Sequence, residues 1–279
     1  MDKITKKLLN KIYSKSNEKQ KSSHWVNFTK NFSLDKGIIT GISGFSRSTK
    51  NLPFLGYYHR ILQKLNFNNI EFSFDSFWYK TAHSAMNKQS RVVDLCVLRQ
   101  VLTLKLIEEK TNFKNINNIC VIGDGQSNCV AIALESNKFN KVISINLPEV
   151  LLNDFNLIKK MGFPLKKISL LETKNQVQNF LNNDNISFGM IEASKANILT
   201  KKQIDLFINI ASFGEMNLDV ISNYFKIIKS SINGTYLYSC NREEKKLPDG
   251  TITKEKDYPW EGFAHKIFDE KTPWHSTFY

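Results

Sequence analysis

Residues 119–135 read ICVIGDGQSNCVAIALE, and the organisation of the whole chain follows from them. Ile119–Ile122 is a short apolar run of the kind that forms a buried strand. Gly123 and Gly125 then allow a sharp turn and a close approach of backbone to ligand. The helical pattern of Ser127–Asn137 starts directly after the turn, so the helix offers that ligand its unpaired N–H groups and positive dipole end. Downstream, apolar runs keep alternating with helical stretches. Lys141–Asn146 reads as a strand, Pro148–Met161 as a helix with proline in its first turn, Asp205–Ala211 as a strand and Leu218–Ser231 as a helix. Thr235–Cys240 is a further strand after the turn Asn233–Gly234. Lys167–Leu171 and Ser187–Ile191 are both strand-like, with Val177–Leu181 helical between them; one is expected to be the third parallel strand and the other to lie in an insertion. The alternation predicts an α/β fold, a Rossmann-like doubly wound, mostly parallel sheet.

The chain before residue 111 has another texture. Residues 1–20 space Ile4, Leu8, Leu9, Ile12 and Tyr13 helically among lysines, residues 37–56 are rich in glycine turns, and helices are expected over Tyr57–Leu65 and Ser90–Glu109. The Asn-rich stretch 111–118 marks the change. The expected division is a helical N-terminal region, 1–110, forming a basic arm and a cap over the active site, and a Rossmann-like domain, 111–279.

The chain has 279 residues, 41% hydrophobic and 23% charged, which excludes global disorder and collagen-like repeats. No window approaches the ~18–20 apolar residues of a membrane helix, and the N-terminus lacks the apolar core of a secretory signal. Four scattered cysteines without a CxxC pair suit a reduced, cytoplasmic chain. The net charge of +13 is concentrated at the start, where residues 1–50 hold eleven Lys and Arg against Asp2, Glu18 and Asp35. Only five of the 39 basic residues are arginine, the side chain suited to bidentate phosphate and guanine contacts, so a solvated basic surface is favoured over a nucleic-acid interface. The basic arm remains suited to peripheral contact with an anionic sugar polymer, a membrane surface or a nucleotide.

The glycine turn admits two ligands, a dinucleotide pyrophosphate or the methionine end of S-adenosylmethionine, and a third reading as a purely structural turn. The dinucleotide form wants a third glycine at Asn128 and the methyltransferase form wants one at Ser127; neither is present. A ribose-binding carboxylate is expected about 20 residues on. Asn146 stands there instead, 21 residues after Gly125, with Glu149 close by as a substitute or as a helix-dipole partner.

Four segments, VIGDG (121–125), INLPEVL (145–151), DLFINIASFGEMNLDVISNYF (205–225) and GTYLYSCNREEK (234–245), resemble the sugar O-methyltransferase family, class I S-adenosylmethionine-dependent enzymes of polysaccharide and deoxysugar pathways. The resemblance spans roughly residues 90–265, and NIASFGEM followed by NYF is its most specific part. It implies S-adenosyl-L-methionine as cofactor and a sugar, nucleotide sugar or glycan as acceptor. The implied cofactor contacts are Gly123, Asp124, Gly125, Asn146, Leu147, Glu192, Ala193, Asn209 and Ala211, with Ile191–Ser194 favoured over Leu171–Glu172 for the adenine. The family usually has aspartate where Asn146 stands.

Methyl transfer to a hydroxyl needs a group that removes a proton. Glu215, just after the Asp205–Ala211 strand, is the first candidate and His265 the second; Glu215 as a helix cap is the alternative. The five histidines show neither HxxxH nor HExxH spacing, so no metal site is expected. His83, in the aromatic stretch 74–91, is a candidate for the acceptor pocket. Trp260 and Trp274 suit either sugar stacking or the core. An NAD(P)-dependent oxidoreductase and a non-catalytic Rossmann-fold binding protein are the competing readings, and the oligomeric state is open.

Overall fold

The structure, a computed structural model, describes residues 2–14, 21–35, 38–41, 52, 54–67, 70, 72–111, 113–263 and 265–276. It begins with helices α1 (Lys3–Tyr13) and α2 (Ser23–Thr29), an antiparallel pair β1 (Ser33–Asp35) and β2 (Ile38–Thr40), and helices α3 (Leu55–Asn66), α4 (Phe77–Lys88) and α5 (Leu95–Lys110). The second half alternates: β3 (Asn118–Ile122), α6 (Asn128–Ser136), β4 (Lys141–Asn146), α7 (Pro148–Lys160), β5 (Ile168–Leu170), α8 (Lys174–Asn182), β6 (Phe188–Glu192), β7 (Leu206–Ile210), α9 (Leu218–Lys229) and β8 (Tyr236–Cys240). A small antiparallel pair, β9 (Glu244–Lys246) and β10 (Ile252–Lys254), and the short α10 (Pro273–Ser276) complete it.

Strands β3 to β8 form one six-stranded, all-parallel sheet in the order β5-β6-β4-β3-β7-β8. The α/β, doubly wound reading therefore holds. Both strand-like segments between 162 and 204 belong to this sheet, which corrects the expected insertion: β5 is the edge and β6 pairs with β4. The chain crosses from β4 to the edge through α7, then returns through α8 and fills the gap it had left. Gly189 in β6 makes room for that return, since a Cβ there would lie 2.8 Å from Leu171 and 3.2 Å from Phe180 of α8.

Side chains alternate between the two faces as the period of a strand requires. Ile119 and Val121 join a core with Leu8 of α1, Trp78 of α4, Leu98 of α5, Val130 of α6 and Leu152 of α7. Cys120 and Ile122 face a second core with Phe180 of α8 and Phe225 of α9. The helix expected from Ser90 starts later. Ser90 is left-handed at φ +58°, the segment after it is extended, and the Asp94 side chain caps α5 through the N–H groups of Cys96 and Val97. The residues 37–56, read as loop, contain Ile38–Thr40 as a strand; 37, 42–51 and 53 lie outside the described residues, as do 15–20 of the expected first helix. Trp260 packs against Phe225 at 5.0 Å, and Trp274 is buried in the first core, so both tryptophans serve the core.

Candidate functional site

In a parallel sheet the ligand crevice lies at the carboxyl ends of the strands, where the chain leaves in opposite directions from neighbours. Here that point falls between β3, followed by α6 on one face, and β7, followed by α9 on the other. A cleft of about 190 Å³ opens there, lined among others by Gly123, Asp124, Gly125, Ala211 and Glu215.

The floor is built from backbone that few residues can adopt. Gly123 has φ +78°, and a Cβ on it would stand 2.3 Å from Ser212 Oγ, so only glycine fits against the β7 loop. Ala211, which lines the cleft, and Ser127, buried just before α6, are left-handed at φ +60° and +55°. Three polar side chains tie the strand ends together. Asn209 Nδ2 donates to Ile122 O at 3.1 Å, Ser212 Oγ donates to the same carbonyl at 3.0 Å, and Asn241 Nδ2 donates to Asn209 Oδ1 at 2.9 Å. Asn209 is thereby committed to the scaffold and does not line the cleft.

Behind the turn sits a buried cation. Arg91 donates from Nη2 to Asn128 Oδ1 at 2.7 Å and from Nη1 to Gln126 O at 3.3 Å. This gives a physical reason for asparagine where a third glycine is missing: its carbonyl holds the arginine under the loop. Burial lowers the Arg91 pKa, while Asp94 and Asp124 oppose the shift. Asp124 accepts the Val130 N–H at 2.8 Å and so caps α6; burial pushes its carboxyl up to about 7 against those N–H groups and Arg91.

Asn146 and Leu147 end β4 beside, but not within, the cleft. Asn146 Nδ2 donates to Asp154 Oδ2 at 2.8 Å and to Ser144 Oγ at 3.3 Å, which turns its amide inward. Cations of the N-terminal segment cover this side. Lys21 Nζ lies 2.5 Å from Glu149 Oε1, Lys11 Nζ lies 2.9 Å from Glu192 Oε2, and Lys7 Nζ lies 2.6 Å from Glu172 Oε2. Glu149, Glu172 and Glu192 stand at or just past the carboxyl ends of β4, β5 and β6, so the arm runs along the ends of the strands. Ala193 follows Glu192 and packs on the second core.

Glu215 continues the pattern past β7. Its carboxylate lies 2.5 Å from Lys245 Nζ and 3.3 Å from His24 Nε2, and its backbone carbonyl accepts Ser22 Oγ at 2.5 Å. Burial alone would raise its pKa, but His24 and Lys245 outweigh that and hold it below the usual range. One carboxylate oxygen is engaged by each cation, so Glu215 serves as an anchor for α2. His265 is exposed and does not line the cleft, and His83 is exposed on α4, 3.2 Å from Asn87 Nδ2, away from it.

Arg91, Trp25, Arg99, Gln100 and His275 escaped the motif reading, although all but Arg91 line the cleft and Arg91 supports it. None belongs to a local pattern. Among the described residues no group of three or more His, Cys, Asp or Glu is placed to hold a metal ion, and no helix is long and apolar enough to cross a membrane. Comparison with protein-family models finds none that matches the chain, and comparison with curated proteins finds no match either.

Proposed function

We propose that this chain is an S-adenosylmethionine-dependent methyltransferase acting on a hydroxyl group of a sugar, whether free, nucleotide-linked or within a glycan. The observation that carries the reading is Gly123, positioned so that no side chain fits, at the mouth of a cleft with the α6 N-terminus and the Arg91 charge behind it. Such a floor suits a ligand that presses its backbone-sized, partly anionic end against the turn, as the amino-acid carboxylate of the cofactor does. The resemblance at 121–125, 145–151, 205–225 and 234–245 points the same way.

Within this reading Gly123, Gly125 and Gln126 would hold the methionine end. Glu149, whose Oε2 has no partner, and Asn146, whose Oδ1 remains available beside its committed amide, would serve the ribose. The bound cofactor supplies an electrophilic methyl group; the chain aligns an acceptor oxygen, excludes water and removes a proton. Trp25 of α2 shields the cleft, and Glu215 anchors α2 there through His24.

Calorimetric titration with S-adenosylmethionine, S-adenosylhomocysteine and NAD(H) tests the proposal. Micromolar binding of both adenosyl ligands, lost in Gly125→Arg with the far-ultraviolet circular dichroism unchanged, is expected. Binding of NAD(H) alone would replace it with an oxidoreductase, and no binding at all with a non-catalytic role.

A further inference from the structure

We propose that Gln100 and His275 form the acceptor subsite of this cleft, and that His275 Nε2 receives the proton of a neutral sugar hydroxyl. The inference rests on the methyltransferase reading above and assigns the half of the cleft that the cofactor contacts leave unexplained.

Both residues line the same cleft as Gly123, from different elements: Gln100 from α5 and His275 from α10. Both carry a buried polar atom without a partner, Gln100 Oε1 and His275 Nε2. Buried polar atoms in folded proteins are nearly always paired, so two orphans lining one cleft point to a ligand that completes them. Their chemistry selects its class. An amide oxygen accepts, and so does Nε2 in the tautomer that carries the ring proton on Nδ1; in that form both are satisfied by O–H donors and both repel carboxylate or phosphate oxygens. A sugar presents several hydroxyls at once, and Trp25 brings an aromatic side chain to the lining of the same cleft.

His275 is held in place by its backbone. Arg99 donates from Nε to Trp274 O at 2.9 Å and from Nη2 to His275 O at 3.3 Å, which fastens α10 to α5 and engages the guanidinium with main-chain carbonyls. Arg99 is the charge that acts on the imidazole; the other charged and titratable groups lining the cleft are Cys96 of α5, Asp124 of the glycine turn and Glu215 past β7, with Cys240 of β8 beside Arg99. Burial first, and then Arg99, push the imidazole down to about 4, which leaves its lone pair free at neutral pH. In the transfer, a lone pair of the sugar oxygen forms the new C–O bond and the methyl C–S bond breaks with its electron pair kept by sulfur. The hydroxyl proton, strongly acidic once the oxygen carries the methyl group, passes to Nε2 and leaves an imidazolium.

The test uses the full chain labelled with [15N]histidine, saturated with S-adenosylhomocysteine and titrated with L-rhamnose, D-galactose, N-acetyl-D-glucosamine and, separately, inorganic phosphate. The His275 ring nitrogens, assigned with His275→Asn, are expected to shift with at least one sugar and not with phosphate. Failure to bind S-adenosylhomocysteine overturns the methyltransferase reading and this inference together. Binding with an unmoved His275, or one moved by phosphate alone, overturns the subsite and leaves the reading standing. With the responsive sugar as acceptor, His275→Asn should keep S-adenosylhomocysteine affinity within about twofold and lose about 100-fold or more in kcat with little change in KM. Gln100→Ala should instead raise KM about tenfold, the loss expected for one ligand hydrogen bond. A parallel loss of S-adenosylhomocysteine affinity in His275→Asn would make the histidine structural and overturn its proton-accepting role.

Discussion

Asp124 shows how one side chain can serve the loop and strain it at once. Its carboxyl caps α6, yet burial holds its pKa at about 7, far above the 3.8 of an exposed aspartate. A raised carboxyl pKa means that the folded state binds the proton more tightly, so its stabilising contribution is full below pH 3.8 and is lost as the pH rises through about 7. Asp124→Asn keeps an acceptor for the Val130 N–H and carries no charge. Its thermal midpoint should exceed that of the parent at pH 8 and match it near pH 4; an equal deficit at both values would contradict the shift. His275 runs the other way. With its folded pKa depressed to about 4, its contribution is complete above the unfolded value of 6.5 and is lost as the pH falls towards 4. His275→Asn should therefore flatten the acid limb of the stability profile between those values, as read by circular dichroism melts.

At the scale of an element, the strand–turn–helix unit depends on a contact outside itself. Asn128, first residue of α6, accepts Arg91 Nη2, and Arg91 reaches it from the extended segment before α5. Asn128→Gly would restore a glycine motif in the sequence and leave a buried guanidinium without its shortest hydrogen bond. We expect it to destabilise the fold by about 1–3 kcal/mol in urea denaturation and to weaken adenosyl ligand binding. A gain in stability or affinity would show that Arg91 does not support the loop. The unit itself was legible because its cues are local: an apolar run, two glycines, then a helical period. Its supports were not, because nothing near Arg91 in the chain says which loop it will meet. The strand order suffered similarly, since a crossover that skips a position and is back-filled by β6 leaves the same alternation of strands and helices as one that does not.

For the molecule as a whole, the basic N-terminal charge has a structural address. Lys7, Lys11 and Lys21 pair with carboxylates along the ends of the sheet, and Glu172 and Lys11 each shift towards their charged forms although burial opposes it. Lys21 and Glu149 are both nearly buried, with side chains 9% and 6% exposed, so salt screens them little. Removing one partner of such a pair strands the other charge. Lys21→Met should cost about 3 kcal/mol, while Lys21→Met with Glu149→Leu should recover most of it. A double-mutant cycle in urea measures the coupling, and a value near zero would mean that the arm does not rest on the strand ends in solution.

The residues on their own determined the parallel sheet, the glycine turn and the position of Glu215 after β7, because strand period, glycine conformational freedom and helix starts are short-range properties. Tertiary structure alone decided what those parts face. Glu215 is an ion-paired anchor only because α2 and β9 bring His24 and Lys245 to it. Asn146 turns inward only because Asp154 of α7 lies beneath it. The histidine that lines the cleft is His275 rather than His265, since Arg99 fastens the C-terminal helix to α5, and such a contact between distant segments leaves no spacing in the sequence from which to read it.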